Sequence, residues 1–238
     1  MENLLDCSDH LSAKESIASI FGTSVNQLTQ VICSLDDYDN SFVNKNYVYR
    51  EVAGKFGEPR SPFKAVWFHG TRKQDVRSFY SEGLLPKSEV APRIHEILTS
   101  LLEGLENSGD YPNSSALAAK QADFDEGPFG FLIRDAVMNS PGFAGNFIQR
   151  SELVEDLAGI LLGGNYEALV ERYYEESSPY VVAFKGIAGA DELKHAVWYL
   201  YLALHGGNIL ENGDIEMCCF NGKGRVIPPS DIQSIEKL

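Results

Sequence analysis

No apolar run in this chain approaches the roughly 18 residues a helix needs to cross a bilayer. The longest candidate, "AVWYLYLAL" at 196–204, falls well short of it. The opening "MENLLDCSDH" is acidic where a secretory leader is basic, so the expected compartment is the cytoplasm and no membrane partner is expected. Positive charge is also scarce. Lys plus Arg number 20 against 34 Asp plus Glu, a formal net charge of −14. That excess opposes a phosphate backbone unless the positives gather on one face, which sets nucleic acid behind protein as the expected macromolecular partner.

Cysteine is sparse as well. Cys7, Cys33, Cys218 and Cys219 show no C-x-x-C or Cys/His ligand spacing. The expectation is four reduced, buried thiols. His95 and His195 have no partners at metal-ligand spacing, so no metal site is expected. There is no internal repeat or low-complexity tract. A chain of 238 residues buries a sizeable core without disulfides.

What is present falls into two parts. Residues 1–62 read as a small helical segment. Ser12-Ala13-Lys14-Glu15 has the form of a capping box, and a second helix start follows at Thr23 or Ser24. The pair resembles a helix-turn-helix in outline, but Ser16 to Ile32 contains no basic residue with which to find phosphates. Residues 36–62 read as a polar connection with one short ordered piece.

From Phe63 the pattern becomes α+β, covering 63–238. Phe63 to Phe68 is a strand apolar on both faces. Ile94, Ile97, Leu98, Leu101, Leu102 and Leu105 make one helical stripe, and Leu153 to Leu161 another that Gly163-Gly164 ends. Phe129 to Ile133, Tyr180 to Phe184 and Ile215 to Phe220 read as strands. Asp191 is expected to cap a helix that runs to Leu204, and Arg225 to Pro229 suits a sheet edge or exit. Trp67, Trp198, Tyr199 and Tyr201 read as core or interface aromatics, and Asp123, Asp125, Glu126, Glu175 and Glu176 as solvated faces.

Two polar residues interrupt apolar rows. His69 continues the face of Phe63, Ala65 and Trp67, and Gly70 behind it lets a ligand reach the backbone. Either the imidazole is a satisfied core group or it serves a site. Glu216 leads the doubly apolar strand "IEMCCF", where a carboxylate is costly unless paired or used. Its alternative is a place just outside the sheet, in water.

His69-Gly70-Thr71-Arg72, the helical stretch "KQDVRSFYSE" and the Gly83-Leu84 turn together resemble the opening of the poly-ADP-ribose polymerase catalytic domain. Glu216 at the head of an apolar strand, followed by "RVIPPSDIQSI", resembles the closing strands of the same ADP-ribosyltransferase superfamily. The resemblance covers about Phe63 to Leu238, with the helices near 94–105 and 151–174 as insertions.

The resemblance implies an ADP-ribosyltransferase-like split sheet holding NAD⁺ as a substrate, with no metal. His69 would hydrogen-bond the nicotinamide-side ribose, the Gly70 backbone would clamp the carboxamide, and Thr71 and Arg72 would help seat the rest of the dinucleotide. Glu216 would be catalytic, bonding a ribose hydroxyl and stabilising the charge that develops as nicotinamide departs. The activity implied is mono-ADP-ribosylation of a protein acceptor, compatible with a toxin, effector or defence role. The family's stacking tyrosine has two candidates here, Phe131 and Tyr111. Two alternatives stand beside this reading. RNA 2′-phosphotransferases share an H-G-T strand end, though their further arginine and histidine motifs are missing. A catalytically degenerate NAD-sensing or protein-binding module is the other.

Overall fold

A computed structural model describes residues 4–35, 43–60, 62–111, 126–139, 148, 151–209 and 218–238. Its strands are β1 (Leu4–Leu5), β2 (Phe63–Lys73), β3 (Phe129–Phe131), β4 (Ser178–Ala188), β5 (Cys219–Asn221) and β6 (Ile232–Lys237). They follow the order β5-β3-β2-β4-β6, with β1 joined to β2, and two half-sheets are not distinguished in that order. β1 runs parallel to β2, and β3 antiparallel to it with Phe68 opposite Phe131. The helices are α1 (His10–Ile20), α2 (Val25–Cys33), α3 (Lys45–Phe56), α4 (Arg77–Glu82), α5 (Lys87–Ser100), α6 (Arg134–Asn139), α7 (Glu152–Leu162), α8 (Tyr166–Glu176) and α9 (Ala190–His205). The architecture is mixed α and β.

Contacts divide the chain into two units. The first comprises Met1–Phe68, Phe131–Ala144 and Ala183–Phe220; the second comprises His69–Gly130, Gly145–Val182 and Asn221–Leu238. Residues 1–62, set apart in sequence, thus share the first unit with later segments.

In the first unit α9 packs against α1, α2 and α3. Its residues from Ala196 to Leu202 are buried all round, as expected of a helix at the centre of a core. Trp198 stacks on Tyr201 with ring centroids 5.2 Å apart, and Trp67 meets Phe220 at 5.5 Å. Gly186 makes room for that indole, since a Cβ there would lie 2.8 Å from it.

Two helix starts differ from expectation. Asp9, not Ser12, caps α1, its carboxylate accepting from the Leu11 and Ser12 amides at 2.8 Å each. Gly189 precedes α9 and donates its N–H to Glu192 at 2.7 Å, which leaves Asp191 inside the first turn. Ser24 caps α2 as expected, with Gln27 completing the box. The polar connection contains the twelve-residue α3.

Cys7 and Cys218 are buried, but Cys33 and Cys219 are exposed, and all four are free thiols. Strand alternation explains the neighbours, because successive side chains of an extended chain point to opposite faces.

The second unit contains the helices expected as insertions. α5, α7 and α8 enclose Leu98, Val154, Ala158, Leu162, Leu169 and Tyr173. α5 ends at Ser100, so Leu101, Leu102 and Leu105 reach this cluster from the turns beyond it. α4 occupies only Arg77–Glu82 of the stretch expected to be helical before the Gly83-Leu84 turn, whose first residue, Lys73, instead ends β2. Leu84 and Ile227 exchange backbone hydrogen bonds at 2.9 Å in both directions. β6 takes in Ile232 and Ile235, the end of the segment likened above to closing strands, although its residue period alone did not mark a strand. The Leu238 amide just beyond it bonds the Pro179 carbonyl at 3.1 Å.

Candidate functional site

His69, Gly70, Thr71 and Arg72 line one cavity of about 170 Å³, and every residue around it belongs to the second unit. A buried water needs about 10–15 Å³ on this scale, so the space holds on the order of ten. The strand half that precedes His69 is core. From His69 onward the same strand becomes cavity wall, which is where the apolar run stops in sequence.

The imidazole is fixed. His69 Nδ1 lies 2.7 Å from the Phe129 carbonyl oxygen. A carbonyl only accepts, so Nδ1 carries the proton. Burial pushes the His69 pKa down; the Phe129 carbonyl opposes that by favouring the cation, while Lys73 adds to it. The ring is therefore neutral near pH 7, with Nδ1–H donating and Nε2 left as an acceptor.

Arg72 is engaged elsewhere. Nη2 donates to the carbonyls of Tyr174 and Ser177 at 3.1 Å each, Nε to the Ser177 hydroxyl at 3.3 Å and Nη1 to the Ile148 carbonyl at 3.4 Å. These bonds tie the end of β2 to the junction of α8 and β4. The Tyr173 hydroxyl donates to the Arg72 carbonyl at 3.2 Å, and burial pushes its own pKa up to about 12.

Neither aromatic proposed from sequence lines the cavity. Phe131 is buried opposite Phe68. Tyr111 packs against Gly159, where a Cβ would come within 2.4 Å of its ring, and donates to buried Asp156 at 3.3 Å. The aromatics that do line the space are Phe79, Phe129 and Tyr173. Phe129 was within the predicted strand, and Tyr173 lay on a helix with no motif to single it out.

Sequence reasoning also missed the other charged walls: Lys73, Lys87, Glu126, Glu152 and Asp156. For Lys73 the signal was available, since it lies on the His69 face by the two-residue strand period. Glu126 corrects an expectation. Rather than a solvated face, it is half-buried and caps α5, accepting from the Lys87 amide through its carbonyl at 2.9 Å and from the Ser88 amide through its carboxylate at 3.1 Å. Pro86, which precedes α5, has no side chain able to do this. Lys73 Nζ donates to Ser78 Oγ at 2.7 Å and sits 4.8 Å from the centre of the Phe79 ring.

Glu216, like Asp123 and Asp125, lies outside the described residues. Among the described residues no group of three or more His, Cys, Asp or Glu is placed to hold a metal, and no helix is long and apolar enough to cross a membrane.

The geometry offers a neutral imidazole acceptor, a glycine backbone beside it and an ammonium two face-positions further along the strand. Compared with protein-family models, curated proteins and solved structures, the chain finds no match.

Proposed function

We propose that this chain is a NAD⁺-dependent mono-ADP-ribosyltransferase with an ADP-ribosyltransferase-like fold, acting on a protein side chain in preference to nucleic acid. The observation that carries the reading is His69. Its ring lines a cavity at the end of a core strand, is oriented by the Phe129 carbonyl at 2.7 Å, and keeps Nε2 as an acceptor suited to a ribose hydroxyl. Gly70 supplies backbone donor and acceptor groups in the same wall, and the strand, short helix and Gly83-Leu84 turn follow in the order the resemblance requires.

In this reaction the bond between nicotinamide and ribose C1′ breaks, and its electron pair leaves with nicotinamide. The acceptor then forms a bond to C1′ and gives up a proton. Positive charge builds on the ribose between these events. A carboxylate held in a water-poor site stabilises such charge by about 3–4 kcal/mol, the part assigned to Glu216 on sequence grounds. His69 orients the ribose, and misplacement of a reactant by about 1 Å costs on the order of 100-fold in rate.

Incubation of purified protein with labelled NAD⁺ and a cell lysate tests the proposal. Wild type should label a protein, and His69→Ala and Glu216→Ala should each lose about 100-fold or more. Equal labelling by His69→Ala sinks the reading. NAD⁺ binding without any turnover reassigns the chain to an NAD-sensing module, and removal of a 2′-phosphate from RNA to the phosphotransferase class.

A further inference from the structure

We propose that Lys73 seats a phosphate group of the ligand that occupies the cavity. The dinucleotide identity of that ligand rests on the function proposed above; the requirement for an anion rests on the cavity alone.

Lys73 is a part-buried ammonium, and its described partners are the Ser78 hydroxyl and the Phe79 ring. No carboxylate among the described residues lies within 4.0 Å of Nζ. Removing a cation from water without a counter-charge is costly, so a site that retains one is built to receive an anion. Burial lowers the Lys73 pKa, and the Arg93 guanidinium adds repulsion, while the Glu82 and Asp75 carboxylates only partly offset them. Glu82 is itself paired with Arg93 at 2.7 Å. A serine hydroxyl holds one of the three ammonium protons, which leaves two for oxygens of a bound group.

Position selects phosphate. His69, Thr71 and Lys73 share one face of β2, and four strand residues span about 13 Å. That is the scale of a nucleotide rather than of a single ring. A ribose bonded by His69 carries its phosphate at C5′, on a path that the strand offers toward Lys73.

The test is calorimetric titration of the full chain with ADP-ribose, inorganic pyrophosphate and nicotinamide riboside, which lacks phosphate. Wild type should bind ADP-ribose, more weakly as salt rises. Lys73→Met should weaken ADP-ribose and pyrophosphate about 10- to 100-fold, the value of a charge-assisted hydrogen bond, while leaving the riboside unchanged. Lys73→Arg should keep most of the affinity, which separates charge from fold damage. Unchanged ADP-ribose affinity in Lys73→Met overturns the proposal, as does equal loss for the riboside, or wild type that binds neither phosphate-bearing probe. Turnover of NAD⁺ with affinity indifferent to Lys73 removes this seat alone. ADP-ribose held through Lys73 without turnover removes the transferase alone.

Discussion

Arg72 lays its guanidinium 4.6 Å from the ring centre of Tyr174 and donates to that residue's carbonyl at 3.1 Å. The arginine of the H-G-T-R motif is thus committed to holding the strand end against the following helix. The cavity wall formed by His69 and Gly70 depends on that tie, because the same strand continues into it.

Arg72→Lys should therefore lower stability by about 1.5–3 kcal/mol, since an ammonium replaces a planar fork that satisfies three carbonyls and a hydroxyl. Urea unfolding measures this, and an unchanged midpoint contradicts the arrangement.

His69 makes stability depend on pH. Its folded pKa lies below the ordinary value near 6.5, so the unfolded chain binds a proton that the folded chain resists. Stability is full above about pH 6.5 and falls as pH drops from there toward the folded value, below which the loss stops growing. The melting temperature of wild type should fall across this window more than that of His69→Gln. Parallel pH curves for the two proteins remove the effect from His69.

Gly83 has φ of +83°, and a Cβ there would lie 1.9 Å from the Ile227 carbonyl oxygen. Gly83→Ala should cost about 1–3 kcal/mol for the backbone conformation alone, and more for the collision that parts Leu84 from Ile227. Chemical denaturation reads the loss. A variant as stable as wild type requires a different turn.

The cysteines should separate by reactivity. Cys33 and Cys219 are exposed, whereas burial raises the thiol pKa of both Cys7 and Cys218. Under native conditions a thiol reagent should modify Cys33 and Cys219 quickly, with the other two released on unfolding. Peptide mapping after brief labelling checks this, and early modification of Cys7 contradicts its packing.

The sites of agreement and error follow from what is local. The run from Phe63 to Phe68 was readable because strand period depends on neighbouring residues, whereas the helix that became α4 and the Gly83-Leu84 turn came from the resemblance. The start of α1 was misplaced because Asp9 and Ser12 both have capping chemistry, and only the folded backbone chose between them. β6 was reached only through the resemblance and not through periodicity, because Ile232 and Ile235, its half-buried apolar residues, do not alternate; pairing with β4 makes it a strand. Lys73 was passed over because a charge at a strand end ordinarily signals solvent.

The amino-acid order alone determined the apolar strand that leads into His-Gly-Thr-Arg and the apolar stripe of α5, while in α7 the expected stripe holds only in part, since Ile160 is exposed. Only tertiary structure decided which carbonyl orients His69, 60 residues away at Phe129, and that Arg72 is held by Ser177, 105 residues away. Periodicity is a property of short segments, whereas these bonds exist only after long loops have closed and burial has made an unsatisfied polar group costly.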